Sequence, residues 1–298
     1  MLIVDAHMHP LLPPEKLLEE MEQANITKAF LIGLDLLPAI IEEPNFQREF
    51  LVLLTQRGFW NINYLTEIRR LLTSANISNE KVKEYVSFAP KRFIGVGSVN
   101  PNRSRSHIQK KLEEICNFGF LGIKLIPTLQ FFHPLKKKKE LKMIFNFCRK
   151  EKLLVIIHTG CDPLIWEDPF FSQVANPENF RFFVSKFREV PVVLAHMGSY
   201  SAREPGIWLN EAVALGAEYD NVLFDLAAVT YLVTQKRYVN IIRERVGFER
   251  VLFGSDFPVV KGETLKTVVE EVLNSPFLTN SEKEKVLGLN AFKLYTKK

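Results

Sequence analysis

The stretch IVDAHMHP, residues 3–10, sets two histidines one residue apart at the end of an apolar run that a proline closes. In an extended strand successive side chains alternate between faces. His7 and His9 therefore point the same way, about 6–7 Å apart along the chain. Two imidazoles aimed together at a core or cavity need a partner to hold them, and a metal ion is the usual one. Taken alone, the pair reads equally well as two half-exposed histidines at a strand end.

Working outward from this stretch, short β-branched or apolar runs recur at 2–9, 26–35, 92–101, 119–127, 153–160, 190–198, 221–229 and 250–258, with helix-compatible stretches between them. Several are apolar on both parities, as expected of parallel strands buried on both faces. An alternating β-α series implies a parallel sheet, and this many units in 298 residues predict an α/β (β/α)8 TIM barrel. An open dinucleotide-binding sheet is the competitor, but no GxGxxG follows the first strand.

One interval breaks the rhythm. Residues 36–91 exceed a single crossover; they begin as an apolar, proline-punctuated loop, LLPAIIEEPNFQREF (36–50), and continue with helices predicted near 61–72 and 79–88. An insertion of this kind after the second strand is a lid or binding loop, or equally a subunit contact. Nothing marks a linker or an internal repeat, so residues 1–298 read as one domain.

Composition narrows the function classes. The chain is 47% hydrophobic and 24% charged, with a net charge of +5, which describes an ordinary globular protein. Part of the positive excess sits in one run, Lys136 to Lys139. It reads as a solvated helix face rather than a nucleic-acid patch, which would gather many more cations and interleave aromatics. No apolar run is long enough to span a membrane. Three cysteines, Cys116, Cys148 and Cys161, form no CxxC pair, and no secretory leader opens the sequence. The expectation is a reducing, cytoplasmic setting with a small-molecule substrate and neither nucleic acid nor membrane as partner.

Polar residues interrupt the strands at telling places. His7 and His9 close the first, His158 the fifth (VIIHTG), His196 the sixth (VVLAHMG) and Asp256 the eighth (LFGSDFP). In a parallel barrel all these ends meet at one rim, where barrel enzymes build their active sites. Five groups of metal-ligand type gathered there are hard to explain as packing, since each buried polar group needs a partner.

The chain resembles the amidohydrolase superfamily, in the branch called amidohydrolase family 2, which also contains aminocarboxymuconate-semialdehyde and resorcylate decarboxylases. The resemblance rests on DAHMH, GIKLIP, IIHTG, VLAHMG, NVLFDLA, GSDFP and KVLGLNAFKLY, in that order along nearly the whole chain. It implies a metal site of His7, His9, His158 and Asp256, with His196 activating the water or the substrate. It also implies one divalent ion, zinc first and manganese or iron as alternatives. Binuclear relatives bridge two metals with a carbamylated lysine on the fourth strand. Lys124 occupies that strand, but in this branch the motif accompanies a single metal, so it is expected to touch substrate or support the ligands, or to pair with Asp225. His196 and Asp256 would then manage the proton during hydrolysis of an amide, lactone or related ester. Non-oxidative decarboxylation of a small hydroxylated or amino-substituted unsaturated acid is the alternative, with Arg203 as a candidate cation unless it is a surface residue. The related metal-dependent deoxyribonucleases are set aside because no acidic residue stands in GVGSVNP or GIKLIP. His133 is a further candidate substrate contact or a plain loop histidine; Cys161, Asp162, Phe131, Phe132 and Trp166 are candidate pocket walls; and a homodimer is the expected assembly.

Overall fold

The computed structural model describes residues 1–59 and 63–296. Parallel strands β1 (Val4–Met8), β2 (Lys28–Ile32), β3 (Phe93–Ser98), β4 (Gly122–Leu125), β5 (Leu154–Gly160), β6 (Val192–Tyr200), β7 (Val222–Asp225) and β8 (Val251–Leu252) pair in sequence order. The last then meets the first. Ala6 N–H donates to Phe253 O and Asp256 N–H to His7 O, both at 2.8 Å, and His9 N–H reaches Phe257 O at 2.9 Å. Helices follow the strands, so the fold is the (β/α)8 barrel that the strand count predicts.

Two apolar layers hold it. Val4 and Ala6 of β1, Phe30 and Ile32 of β2, Val96 of β3, Leu154 and Ile156 of β5, Val193 and Ala195 of β6 and Leu252 of β8 form one buried cluster, the barrel interior. Residues of the opposite parity, such as Leu31, Ile123, Val155, Leu194 and Phe224, pack in a larger cluster with the surrounding helices. That alternation is why the strands are apolar on both parities. Helix starts carry the expected caps. Ser104 accepts from His107 N–H at the head of Arg105–Asn117, and Thr279 and Glu282 form a capping box on Asn280–Glu284.

The insertion corrects one expectation. The segment read as a loop over 36–50 contains a 3-10 turn, Pro38–Glu42, and opens a helix, Pro44–Gln56. Pro44 occupies the first helical turn, where a missing N–H costs nothing, so a residue read as a breaker is a helix starter. Helices Asn63–Ala75 and Asn79–Phe88 follow; the expected start of the former at 61 lies outside the described residues. Arg57 grips Asp168 through Nε (3.1 Å) and Nη2 (2.9 Å), tying the insertion to the loop after β5. Among the described residues no helix is long and apolar enough to cross a membrane.

Candidate metal centre

The first histidine pair owes its aim to an irregularity. Strict alternation would group Ala6 with Met8, yet Ala6 packs in the barrel interior and Met8 against the helices. The register of β1 on β2 shifts between Asp5 and Met8, and such a bulge re-aims the side chains beyond it. His7 and His9 come to lie with ring centroids 5.4 Å apart, both lining one cavity. Asp5 fastens the neighbouring seam. Its Oδ1 accepts N–H from His7 (2.9 Å) and Ser255 (3.1 Å), and its Oδ2 accepts the Ser255 hydroxyl. His196 and Asp256 both have φ of 61°. A non-glycine residue holds that left-handed conformation only where its surroundings impose it, a pattern concentrated at functional sites.

Partners behind the rings set their tautomers. His7 Nδ1 donates to Asp225 Oδ2 at 2.9 Å and His9 Nδ1 to the Ile32 carbonyl at 3.2 Å. Each ring therefore presents an Nε2 lone pair to the cavity. Asp256 Oδ1 lies 3.5 Å from His7 Nε2 and 3.2 Å from His9 Nε2. Ligand bonds of 2.0–2.2 Å in tetrahedral geometry put ligand atoms ~3.3 Å apart, so these donors stand at coordination spacing. The ligand atoms of His7, His9 and Asp256 all lie within 4.8 Å of one another, and those of His7, His196 and Asp225 form a second such group. In the second, Asp225 already serves as the acceptor behind His7, which favours the first as the site for an ion.

Burial tunes the charges. It pushes His7 down to about 4, aided by the Lys124 charge and opposed by Asp225. It lowers His158 far below the ordinary histidine range and lowers His196 as well. These rings are neutral at pH 7, as metal ligation and proton acceptance require. Burial acts to raise Asp256, but the adjoining His9, His7 and His196 rings outweigh it and hold the carboxylate well below its usual range. Asp225 is held at about 2 by His7, His196 and Lys124 against burial. Burial drives Asp162 up to about 7 and Lys124 down to about 8.

The expected site residues sort into two groups. His7, His9, Lys124, His158, His196 and Asp256 line one cavity with a water-accessible volume of ≈ 90 Å³. Within it, Lys124 Nζ approaches His7 Nε2 at 3.2 Å rather than forming an ion pair with Asp225. His158 turns its Nε2 to the Cys161 carbonyl (3.0 Å) and to Asp162 Oδ2 (3.1 Å) and does not belong to the three-residue cluster. Arg203 and His133 lie elsewhere. Arg203 is exposed on the loop after β6, its backbone N–H bonded to Glu167. His133 lines a separate groove with Phe131, Phe132 and Trp166, so the candidate aromatic walls belong to that groove.

Sequence reasoning missed four contributors. Asp225, read only as a partner for Lys124, holds two histidines; its place at the end of β7, level with the other strand-end polar groups, was the available signal. Tyr200 lines the cavity at the end of β6, and burial together with the charges of Asp256 and Asp162 raises its phenol. Leu71 and Ala75 of the insertion complete the wall.

The amidohydrolase family model matches residues 62–297. An uncharacterised TIM-barrel protein from Bordetella bronchiseptica is similar in structure, with TM-score 0.73, 19% identity and coverage of 100% of this chain and 99% of that one. An amidohydrolase from Burkholderia multivorans with bound zinc gives 0.64 and 13%, covering 99% of each chain. A 5-carboxyvanillate decarboxylase from Novosphingobium aromaticivorans with bound manganese gives 0.61 and 16%, covering 96% of this chain and 81% of that one. At these identities the likeness is one of fold. No curated protein matches the chain.

Proposed function

Because the chain belongs to the amidohydrolase family, we propose that it is a metal-dependent hydrolase that cleaves an amide, lactone or related ester bond of a small molecule. The observation carrying this reading is the buried set of His7 Nε2, His9 Nε2 and Asp256 Oδ1 at coordination spacing, in a cavity that His196 shares. A divalent ion bound there, zinc first, would supply Lewis acidity and lower the pKa of water from about 15.7 toward 7.

The chain's own residues do the rest. Asp225 and the Ile32 carbonyl fix the ligand rings. His196 donates Nδ1–H to the Ala227 carbonyl at 2.8 Å, which leaves Nε2 to accept the proton of the attacking water and return it to the departing heteroatom. Asp256, ionised throughout, opposes the positive charge that forms on His196. Leu34, Leu71, Ile126, Leu129 and Val259 wall the cavity with apolar surface, limit its water, and favour a compact substrate with little charge.

Decarboxylation is the second reading, favoured by one observation: the Lys124 ammonium in the cavity is a counter-charge for a substrate carboxylate. No arginine stands beside it among the described lining residues, which ranks this reading below hydrolysis. The test is to load the protein with zinc or manganese and screen lactones, esters and amides against hydroxylated aromatic acids while monitoring carbon dioxide. Acid release with uptake of water supports the hydrolase; gas release alone replaces it with the lyase.

A further inference from the structure

Among the polar side chains of the cavity that the hydrolytic scheme leaves unused, Tyr200 is set against the proton-accepting ring. Tyr200 stacks on His196, with ring centroids 4.7 Å apart and planes at 22°, and meets His158 edge-on at 5.8 Å. Its position is built rather than incidental. β6 runs past His196 through left-handed turns at Met197 and Gly198 and still pairs with β5, Gly160 opposite Tyr200. Gly160 has φ of 119°, and a Cβ there would sit 2.6 Å from the Tyr200 nitrogen. Only glycine lets the two strands close at this level. The Cys161 N–H then anchors the Tyr200 carbonyl. The ring is thus fixed from its backbone and by its stack, whereas its hydroxyl has no protein hydrogen-bond partner among the described residues. A phenol in a cavity wall usually finds a partner, and here the vacant role is open to a ligand.

We propose that Tyr200 is a catalytic residue whose hydroxyl donates a hydrogen bond to the substrate's carbonyl oxygen as that oxygen gains negative charge. This rests on the hydrolytic reading. Water oxygen bonds to the carbonyl carbon, and its proton passes to His196. The carbonyl electron pair moves onto the oxygen facing Tyr200 and returns as the bond to the leaving oxygen or nitrogen breaks. The leaving group departs with the proton from His196. Tyr200 keeps its own proton throughout, so it acts as a fixed dipole aimed at developing charge. The substrate class follows: an acyl compound whose carbonyl oxygen can lie between the metal cluster and Tyr200, with an apolar body against Leu34, Leu129 and Val259.

The test compares wild type with Tyr200→Phe, which keeps the stack on His196 and removes only the hydroxyl. Zinc-loaded proteins are assayed on phenyl acetate, and their affinity for methylphosphonate, a small tetrahedral oxyanion, is measured by calorimetry. The expected result is a kcat roughly 10²-fold lower with KM little changed, methylphosphonate affinity weaker by about tenfold, and equal zinc content and Tm. Equal methylphosphonate affinity in the two proteins, or none in wild type, overturns the assignment. Failure of the underlying reading shows differently, as wild type leaving the ester intact while still binding methylphosphonate more tightly than Tyr200→Phe; the hydrogen-bond donor then stands and the reaction is reassigned.

Discussion

Asp225 joins His7 through a 2.9 Å hydrogen bond from Nδ1 to Oδ2, and its other oxygen accepts the His196 backbone N–H at 2.8 Å. One fully buried carboxylate thereby orients the His7 ring and the strand end that carries His196. Asp225→Asn offers His7 an amide in place of an anion and weakens control of the tautomer. Metal affinity is expected to fall 10–100-fold, measured by chelator competition. An unchanged affinity would remove Asp225 from the site.

Metal content reads the donor set directly. Wild type is expected to hold about one equivalent of zinc after dialysis, and His7→Ala, His9→Ala and Asp256→Asn to hold almost none. His158→Ala distinguishes two arrangements. Loss of zinc means that the ring turns from Asp162 to join the ion; retention means that His158 belongs to the wall. Two equivalents in wild type would overturn the single-ion reading.

Leu71 lines the cavity from the helix Asn63–Ala75 of the insertion. Leu71→Ala enlarges the cavity without touching a ligand. Zinc content should stay the same, KM for the best substrate should rise several-fold, and kcat should change less. Identical kinetics would reassign the insertion from lid to another contact.

Acid stability has a local contributor at Glu282. The Arg243 pair, with Nε to Oε1 at 2.9 Å, and the Thr279 cap lower its carboxyl to about 2. The folded pKa lies below the unfolded value of about 4.3. Its contribution is therefore complete above that value and fades as pH falls toward 2. Glu282→Gln is expected to cost about 0.5–1 kcal/mol at pH 7, with the difference shrinking from pH 4.5 downward in urea titrations. A difference independent of pH would assign the effect to the cap alone.

The sequence carried the barrel because strand period and helix spacing are local signals repeated along the chain. It also carried the meeting of His7, His9, His158, His196 and Asp256, since a closed parallel sheet brings strand ends together whatever lies between them. Other features depend on non-local geometry. The bulge in β1 arises from pairing with β2 and leaves no mark on the alternation. Tyr200 reaches the cavity only because β6 winds past three left-handed residues, His196 to Gly198, before pairing again. Arg203 and His133 look equivalent to it on paper, yet loop paths carry them elsewhere. The prolines before residue 50 read as punctuation, although Pro44 begins a helix that Phe50 and Leu54 then bury.

The seam between β8 and β1 has a consequence for biogenesis. Asp256 and the strand that clasps His7 and His9 emerge from the ribosome some 250 codons after the two histidines. A nascent polypeptide arrested between the two owns the imidazoles and lacks the carboxylate, so the three-residue cluster assembles only once β8 has been made.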